Sequence, residues 1–156
     1  MTIMTLNQLA PHQGGKIVSI RGMGPLRQRM MDMGLVPGAE IQVVREAPLG
    51  DPIEYQIKGY HLSLRKREAE HILVDVNVMT LEQIQPPTEV RLIDVYGGRH
   101  FIHRLKLMGL KPGKVMKIIS NNPFGPIIVQ VAESDFRIGP GFARRILVEP
   151  LTQEEE

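Results

Sequence analysis

Short alternations of apolar and polar residues set the pattern of this chain, and each is cut by glycine or proline. Lys16-Ile17-Val18-Ser19-Ile20 reads as a first strand, with its turn at Gly22. The pattern then changes period: Leu26, Met30 and Met33 fall four and three residues apart, which predicts one apolar face of a helix over 26–33. Gly34 follows as a left-handed helix cap, and Pro37-Gly38 supplies the turn into the next strand. Strand-like runs come next at 41–44, 53–57, 61–64 and 72–76, separated by Pro48-Leu49-Gly50-Asp51-Pro52 and by Gly59-Tyr60. Five short strands and one short helix predict a small, strongly bent antiparallel barrel. A doubly wound parallel sheet is excluded, because one helix cannot cover both faces.

The whole pattern then occurs a second time. Met4-Thr5-Leu6-Asn7-Gln8-Leu9 returns as Met79-Thr80-Leu81-Glu82-Gln83-Ile84, and Met33-Gly34-Leu35-Val36-Pro37-Gly38 returns as Met108-Gly109-Leu110-Lys111-Pro112-Gly113, both 75 residues on. After the turn at Pro123 and Gly125 the offset falls by one, so that Ile72-Leu73-Val74 meets Ile146-Leu147-Val148. A one-residue deletion in a turn explains the shift, since turns tolerate length changes that strands do not. The fold class expected is therefore mostly β: two tandem barrels over 1–76 and 77–156, each with one short helix after its first strand. Only Val76-Asn77-Val78 separates the repeats, which leaves no flexible tether, and the halves are expected to pack on one another.

Composition narrows the function. The 156 residues carry a net charge of +2, with no cysteine and no tryptophan. Disulfides and thiolate metal sites are thereby excluded. Lys and Arg against Asp and Glu number 9 to 8 through Val76 and 10 to 9 beyond it, so neither half is a basic arm and a nucleic-acid partner is not expected. The N-terminal residues lack the basic start and apolar segment of a secretory signal, and no stretch reaches the roughly 20 apolar residues that span a bilayer. A cytoplasmic protein is expected.

No catalytic constellation emerges. The four serines stand in no nucleophile-elbow sequence, and the glycine pairs near 22–24 and 97–98 lack a phosphate-loop ending. The protein is expected not to be an enzyme. His100 and His103, three apart on the second predicted helix, are weak candidates for a metal site, because the first repeat has Pro25 and Gln28 there and no third ligand is near in sequence. What is duplicated carries the better signal. Gly34, Pro37, Gly38, Gly109, Pro112 and Gly113 are assigned to structural turns. The helix and loop they close are read as an apolar ledge with a cationic rim, made of Leu26, Arg27, Arg29, Met30, Met33 and Leu35 in the first repeat and of Arg104, Met108 and Leu110 in the second. The Met-rich first helix is expected to be the main docking site.

The openings Thr5-Leu6-x-x-Leu9 and Thr80-Leu81-x-x-Ile84, the Arg-(x)3-Met-Gly-Leu-x-Pro-Gly stretches from Arg29 and Arg104, and the endings Ala69-x-x-Ile72-Leu73-Val74 and Ala143-x-x-Ile146-Leu147-Val148 come in one order in each half. In this combination each half resembles FeoA, the small accessory protein of bacterial ferrous-iron uptake. The resemblance implies an SH3-like barrel without catalytic activity or cofactor. It also implies a partner, the FeoB membrane transporter with its cytoplasmic GTP-binding domain, through which alone the protein would meet the membrane. The same barrel is similar to the C-terminal domain of iron-dependent repressors. That likeness supplies an alternative, a regulatory domain responding to Fe2+ or another divalent ion, although the winged helix that precedes the barrel in those proteins is not found in this sequence.

Overall fold

The computed structural model describes residues 2–22 and 24–151, and the chain divides into two units, Met1–Asn77 and Val78–Glu156. The first unit opens with β1 (Ile3–Thr5) and a 3-10 turn over Leu6–Gln8. It continues with β2 (Gly14–Ile20), α1 (Pro25–Asp32), β3 (Glu40–Glu46), β4 (Ile53–Ile57), β5 (Tyr60–Leu64), α2 (Lys66–Ala69) and β6 (Ile72–Val76). All pairings are antiparallel and the sheet order is β1-β6-β2-β3-β4-β5. From β2 to β5 the chain meanders, and β6 returns beside β2, the strand order of an SH3-like unit. Register breaks in the β2–β6 and β3–β4 ladders bend the sheet around its core. At the open side, α2 packs on the 3-10 turn that follows β1.

The second unit repeats this with β7 (Met79–Thr80), a 3-10 turn over Leu81–Gln83, β8 (Thr88–Val95), α3 (Arg99–Leu107), β9 (Val115–Asn121), β10 (Ile127–Val131), β11 (Ser134–Ile138), α4 (Pro140–Ala143) and β12 (Ile146–Pro150). Its sheet order, β11-β10-β9-β8-β12-β7, is the same one read from the other edge.

Alternation decides which side chains go inside. Ile53, Tyr55 and Ile57 of β4 are buried with Glu54 and Gln56 turned outward, and β10 does the same with Ile127, Val129 and Val131. Each unit thus has a core of Ile, Leu, Val and Met. Phenylalanine is confined to the second unit, which holds all four: Phe101, Phe124, Phe136 and Phe142.

The tandem, mostly β architecture follows the repeat and its alternation, but each unit holds more elements than the five strands and one helix expected. Strands β1 and β7 were not anticipated because three and two residues are too few to show a period. They exist because Ile3 to Thr5 pair with Leu73 to Asp75, and Met79-Thr80 with Leu147-Val148. The short helices α2 and α4 were missed for the same reason. The division at Asn77/Val78 lies one residue beyond the boundary read from the sequence.

Candidate functional site

In both units the duplicated Met-Gly-Leu-x-Pro-Gly segment is a helix terminator built from backbone bonds. In the first, Gly34 N–H donates to Met31 O at 3.0 Å and Leu35 N–H to Met30 O at 3.1 Å. In the second, Gly109 N–H donates to Lys106 O at 3.0 Å and Leu110 N–H to Leu105 O at 2.8 Å. This crossed pair of bonds is the Schellman motif, which needs a left-handed residue just beyond the helix. Gly34 at φ +94° and Gly109 at φ +84° supply it, where a Cβ would be strained. The turn is then clamped to the strand before the helix, with Gly38 N–H on Ile17 O of β2 and Gly113 N–H on Leu92 O of β8, both at 2.8 Å. The turn assignments of these glycines, with Pro37 and Pro112 between them, thereby acquire a geometry.

The same geometry corrects three of the proposed ledge residues. A Schellman motif turns the residue after its glycine back toward the helix, so Leu35 and Leu110 drop into the cores, 0% and 2% exposed. Met30 is also fully buried. These side chains hold the helix to the sheet and present no surface. Leu26, Met33 and Met108 are half-buried, while Arg27, Arg29 and Arg104 are exposed. In the first unit a shallow, open depression at the start of α1 is lined by Gly22, Gly24, Pro25, Arg27 and Gln28.

The helices are fastened differently in the two units. Arg29 reaches from α1 to Glu68 of α2 at 2.7 Å, and Glu68 also accepts from the Arg65 backbone at 2.9 Å, which caps α2. In the second unit Phe142 takes the place of Glu68, and it stacks on Phe101 of α3 with ring centroids 4.9 Å apart. Sequence reasoning missed both partners, though Arg65-x-x-Glu68 and the Pro140 that opens α4 are helix-start signals.

His100 and His103 are exposed on α3, and among the described residues no group of three His, Asp or Glu is placed to hold an ion. Surface pairs account for other charges. Arg45 at 3.0 Å and His61 at 3.1 Å hold the Glu54 carboxyl below the usual range, Arg45 having the larger effect. Among the described residues no helix is long and apolar enough to cross a membrane.

The architecture is that of two small SH3-like units in tandem, each presenting a helix and a hairpin from a closed core. The FeoA domain model matches the chain twice, over residues 4–76 and 79–150, and the chain belongs to the FeoA family. It is similar to the iron(II) transport protein A of Clostridium thermocellum, whose solution structure aligns with a TM-score of 0.63 at 33% identity, covering 98% of this chain and 92% of that one. Over 73 residues, 47% of this chain, it is 41% identical to the Fe(2+) transport protein A/Fe(2+) transporter FeoB fusion protein of Porphyromonas gingivalis, of which it spans only 9%. A zinc complex of Stenotrophomonas maltophilia FeoA, described as a procaryotic SH3 domain protein, is 29% identical, covering 46% of this chain and 89% of that one, with a TM-score of 0.43.

Proposed function

We propose that this chain is a non-enzymatic accessory protein of ferrous-iron transport that docks on the cytoplasmic part of a FeoB-type membrane transporter. The supporting observation is the Porphyromonas fusion, in which a stretch 41% identical to this chain is joined covalently to a FeoB transporter. Fusion of two functions into one chain fits partners that otherwise must find one another. In this reading α1 is the main docking element: Arg27 stands exposed over the depression at its start, next to the half-buried Leu26, and the half-buried Met33 closes its other end.

Capture of the full chain by the purified cytoplasmic domain of such a transporter, with and without guanine nucleotide, tests the reading. Arg27→Glu is expected to weaken capture more than Arg104→Glu, and both substitutions fall on exposed positions that leave the fold intact. No capture in any nucleotide state would overturn the docking. Equal losses would overturn the preference for the first unit. Micromolar binding of Fe2+ in calorimetry, abolished by His100→Ala with His103→Ala, would instead favour the metal-responsive alternative.

A further inference from the structure

Two large apolar side chains stand almost wholly in solvent. Leu49 is 96% exposed and Phe124 is 97% exposed, and the next most exposed large apolar residue, Leu107, reaches 74%. They occupy the same position, 75 residues apart, between a proline and a glycine at the tip of the β3–β4 and β9–β10 hairpins. Burial cannot explain either, and the duplication keeps a large apolar group at both. The second tip is firmly held: Phe124 N–H donates to Asn122 Oδ1 at 3.0 Å and Gly125 N–H to Asn122 O at 3.1 Å. Below it, the Asn121 amide donates to Glu82 O at 2.9 Å and Ile84 O at 2.8 Å, which ties the hairpin to the 3-10 turn.

That end of the second unit is also aromatic and cationic. Glu82 pairs with Arg144 at 3.3 Å, beside the 43% exposed Phe142. The Arg145 carbonyl receives Tyr96 N–H at 2.8 Å, which brings Arg145 to the approach of α3, whose first residue is Arg99. From residue 95 to 132 there is no Asp or Glu against six Lys and Arg, whereas the corresponding residues 20–58 hold five of each. The even charge of the two halves therefore conceals a strongly cationic segment within the second. Burial pushes the Glu82 carboxyl up, opposed by Arg144.

We propose that this end of the second unit is a membrane-surface anchor, in which Phe124 enters the headgroup–acyl boundary of an anionic bilayer while Arg99 and Arg145 meet lipid phosphates. Charge complementarity selects an anionic surface. The shape selects lipid over a folded acidic protein. Phe124 is a knob carried by a proline-framed tip, with no concave rim around it, and the cations are dispersed over α3 and the end of α4. A fluid array of headgroups accommodates such dispersed charge, whereas a protein would require a matching constellation. Leu49 is the weaker counterpart, because its surroundings carry Asp51, Glu68 and Glu70 with Arg65, Lys66 and Arg67.

The proposal does not rest on the transporter reading, and protein-free vesicles separate the two. The chain contains no tryptophan, so Phe124→Trp creates a single emitter at the tip. Its emission is expected to shift to the blue on phosphatidylcholine vesicles containing phosphatidylglycerol and to be quenched by brominated acyl chains. The shift should fade as salt screens the charges. In sedimentation with the same vesicles, Phe124→Ser should lower partitioning about tenfold, and Arg99→Gln with Arg145→Gln should lower it further. Leu49→Trp should shift less. An unchanged Phe124→Trp spectrum on anionic vesicles at low salt overturns the anchor, and a shift produced only by the transporter's soluble domain overturns it in favour of a protein pocket. An equal shift on pure phosphatidylcholine overturns the role of the cations.

Discussion

The first unit fastens its long helix to its short one with an ion pair, Arg29 to Glu68, and the second does so with two stacked rings, Phe101 and Phe142. Only the short-helix ends correspond, Phe142 standing where Glu68 does; on the long helices Phe101 corresponds to Leu26 and Arg29 to Arg104, so both the chemistry and its anchor point have moved. The backbone of the terminator and the sheet order are the same in both units, so what the fold requires at this point is a contact and not a particular kind of contact. What differs is the surface left behind. The first unit presents a solvated ion pair, with the Arg29 side chain 62% exposed, and the second presents an aromatic face.

The most disruptive test of the likeness between units is a charge in the terminator. Leu35→Asp and Leu110→Asp each bury a carboxylate where a leucine was 0% or 2% exposed, and each should cost about 4 kcal/mol or more and unfold its own unit. Circular-dichroism melts would check this. A native melt in either variant would mean that the leucine is not the core residue described here.

Glycine sharpens the comparison with a smaller effect. Gly34→Ala and Gly109→Ala should each lose roughly 1–2 kcal/mol from the left-handed backbone. The first should lose more, since its Cβ would lie 2.7 Å from Tyr60 Oη while nothing lies within 4 Å of the second. Tyr60→Ser, which installs the residue of the second unit at the corresponding position, should bring the two losses together. If urea titrations show the gap persisting, the contact with Tyr60 is not its cause.

The two fastenings themselves are best compared by double-mutant cycles. Phe101 and Phe142 should couple by about 1 kcal/mol irrespective of salt. The exposed pair Arg29 and Glu68 should couple by about 0.5 kcal/mol or less, vanishing at high salt. Salt-sensitive coupling of the rings would contradict the stacking account.

A difference inside the cores gives an effect of similar size and opposite sign. Tyr55 is fully buried with no hydrogen-bond partner for its hydroxyl among the described residues, while the second unit places Val129 at this position. Burial raises its pKa above the ordinary value of 10.0, with smaller effects from Glu46 and Asp51. A raised value favours the neutral form in the folded state. Its contribution is therefore complete below pH 10.0 and is lost as pH climbs through the folded value, because the unfolded chain ionises first. Tyr55→Phe should gain about 1 kcal/mol at neutral pH and flatten the alkaline loss of stability. Lower stability in denaturant titrations would show that the hydroxyl has a partner.

How far this was legible in the sequence depended on length and on direction. The strands from β2 to β6 were readable because five to seven residues show a period of two, and α1 was readable from Leu26, Met30 and Met33. The turn glycines were readable because few residues suit a positive φ. Which way Leu35 points was not, because a ledge and a core both ask for leucine and only the crossed bonds of the Schellman motif decide between them. Leu49 and Phe124 were passed over for the opposite reason: the prolines and glycines beside them announced a turn, and turns do not usually expose large apolar groups. The Glu68 and Phe142 contacts are long-range and left no local trace.

One topological detail has a kinetic side. Strand β6 is the last of its unit in the chain but lies between β1 and β2, so the first sheet cannot be completed until Val76 has been made. Strand β12, made 74 residues later, begins with the same three residues, Ile-Leu-Val, and fills the same gap in the second sheet. During synthesis, at about 5–20 residues per second, β6 leads by roughly 4–15 s, long enough for a small β unit to close. A denatured full-length chain offers both strands at once, and we expect some molecules to insert β12 into the wrong gap and to recover slowly. Refolding from urea should therefore show a slow phase that a chain folding as it leaves the ribosome avoids, and a single fast phase of full amplitude would refute the exchange. In a duplicated protein, the order of manufacture serves as proofreading between two nearly interchangeable strands.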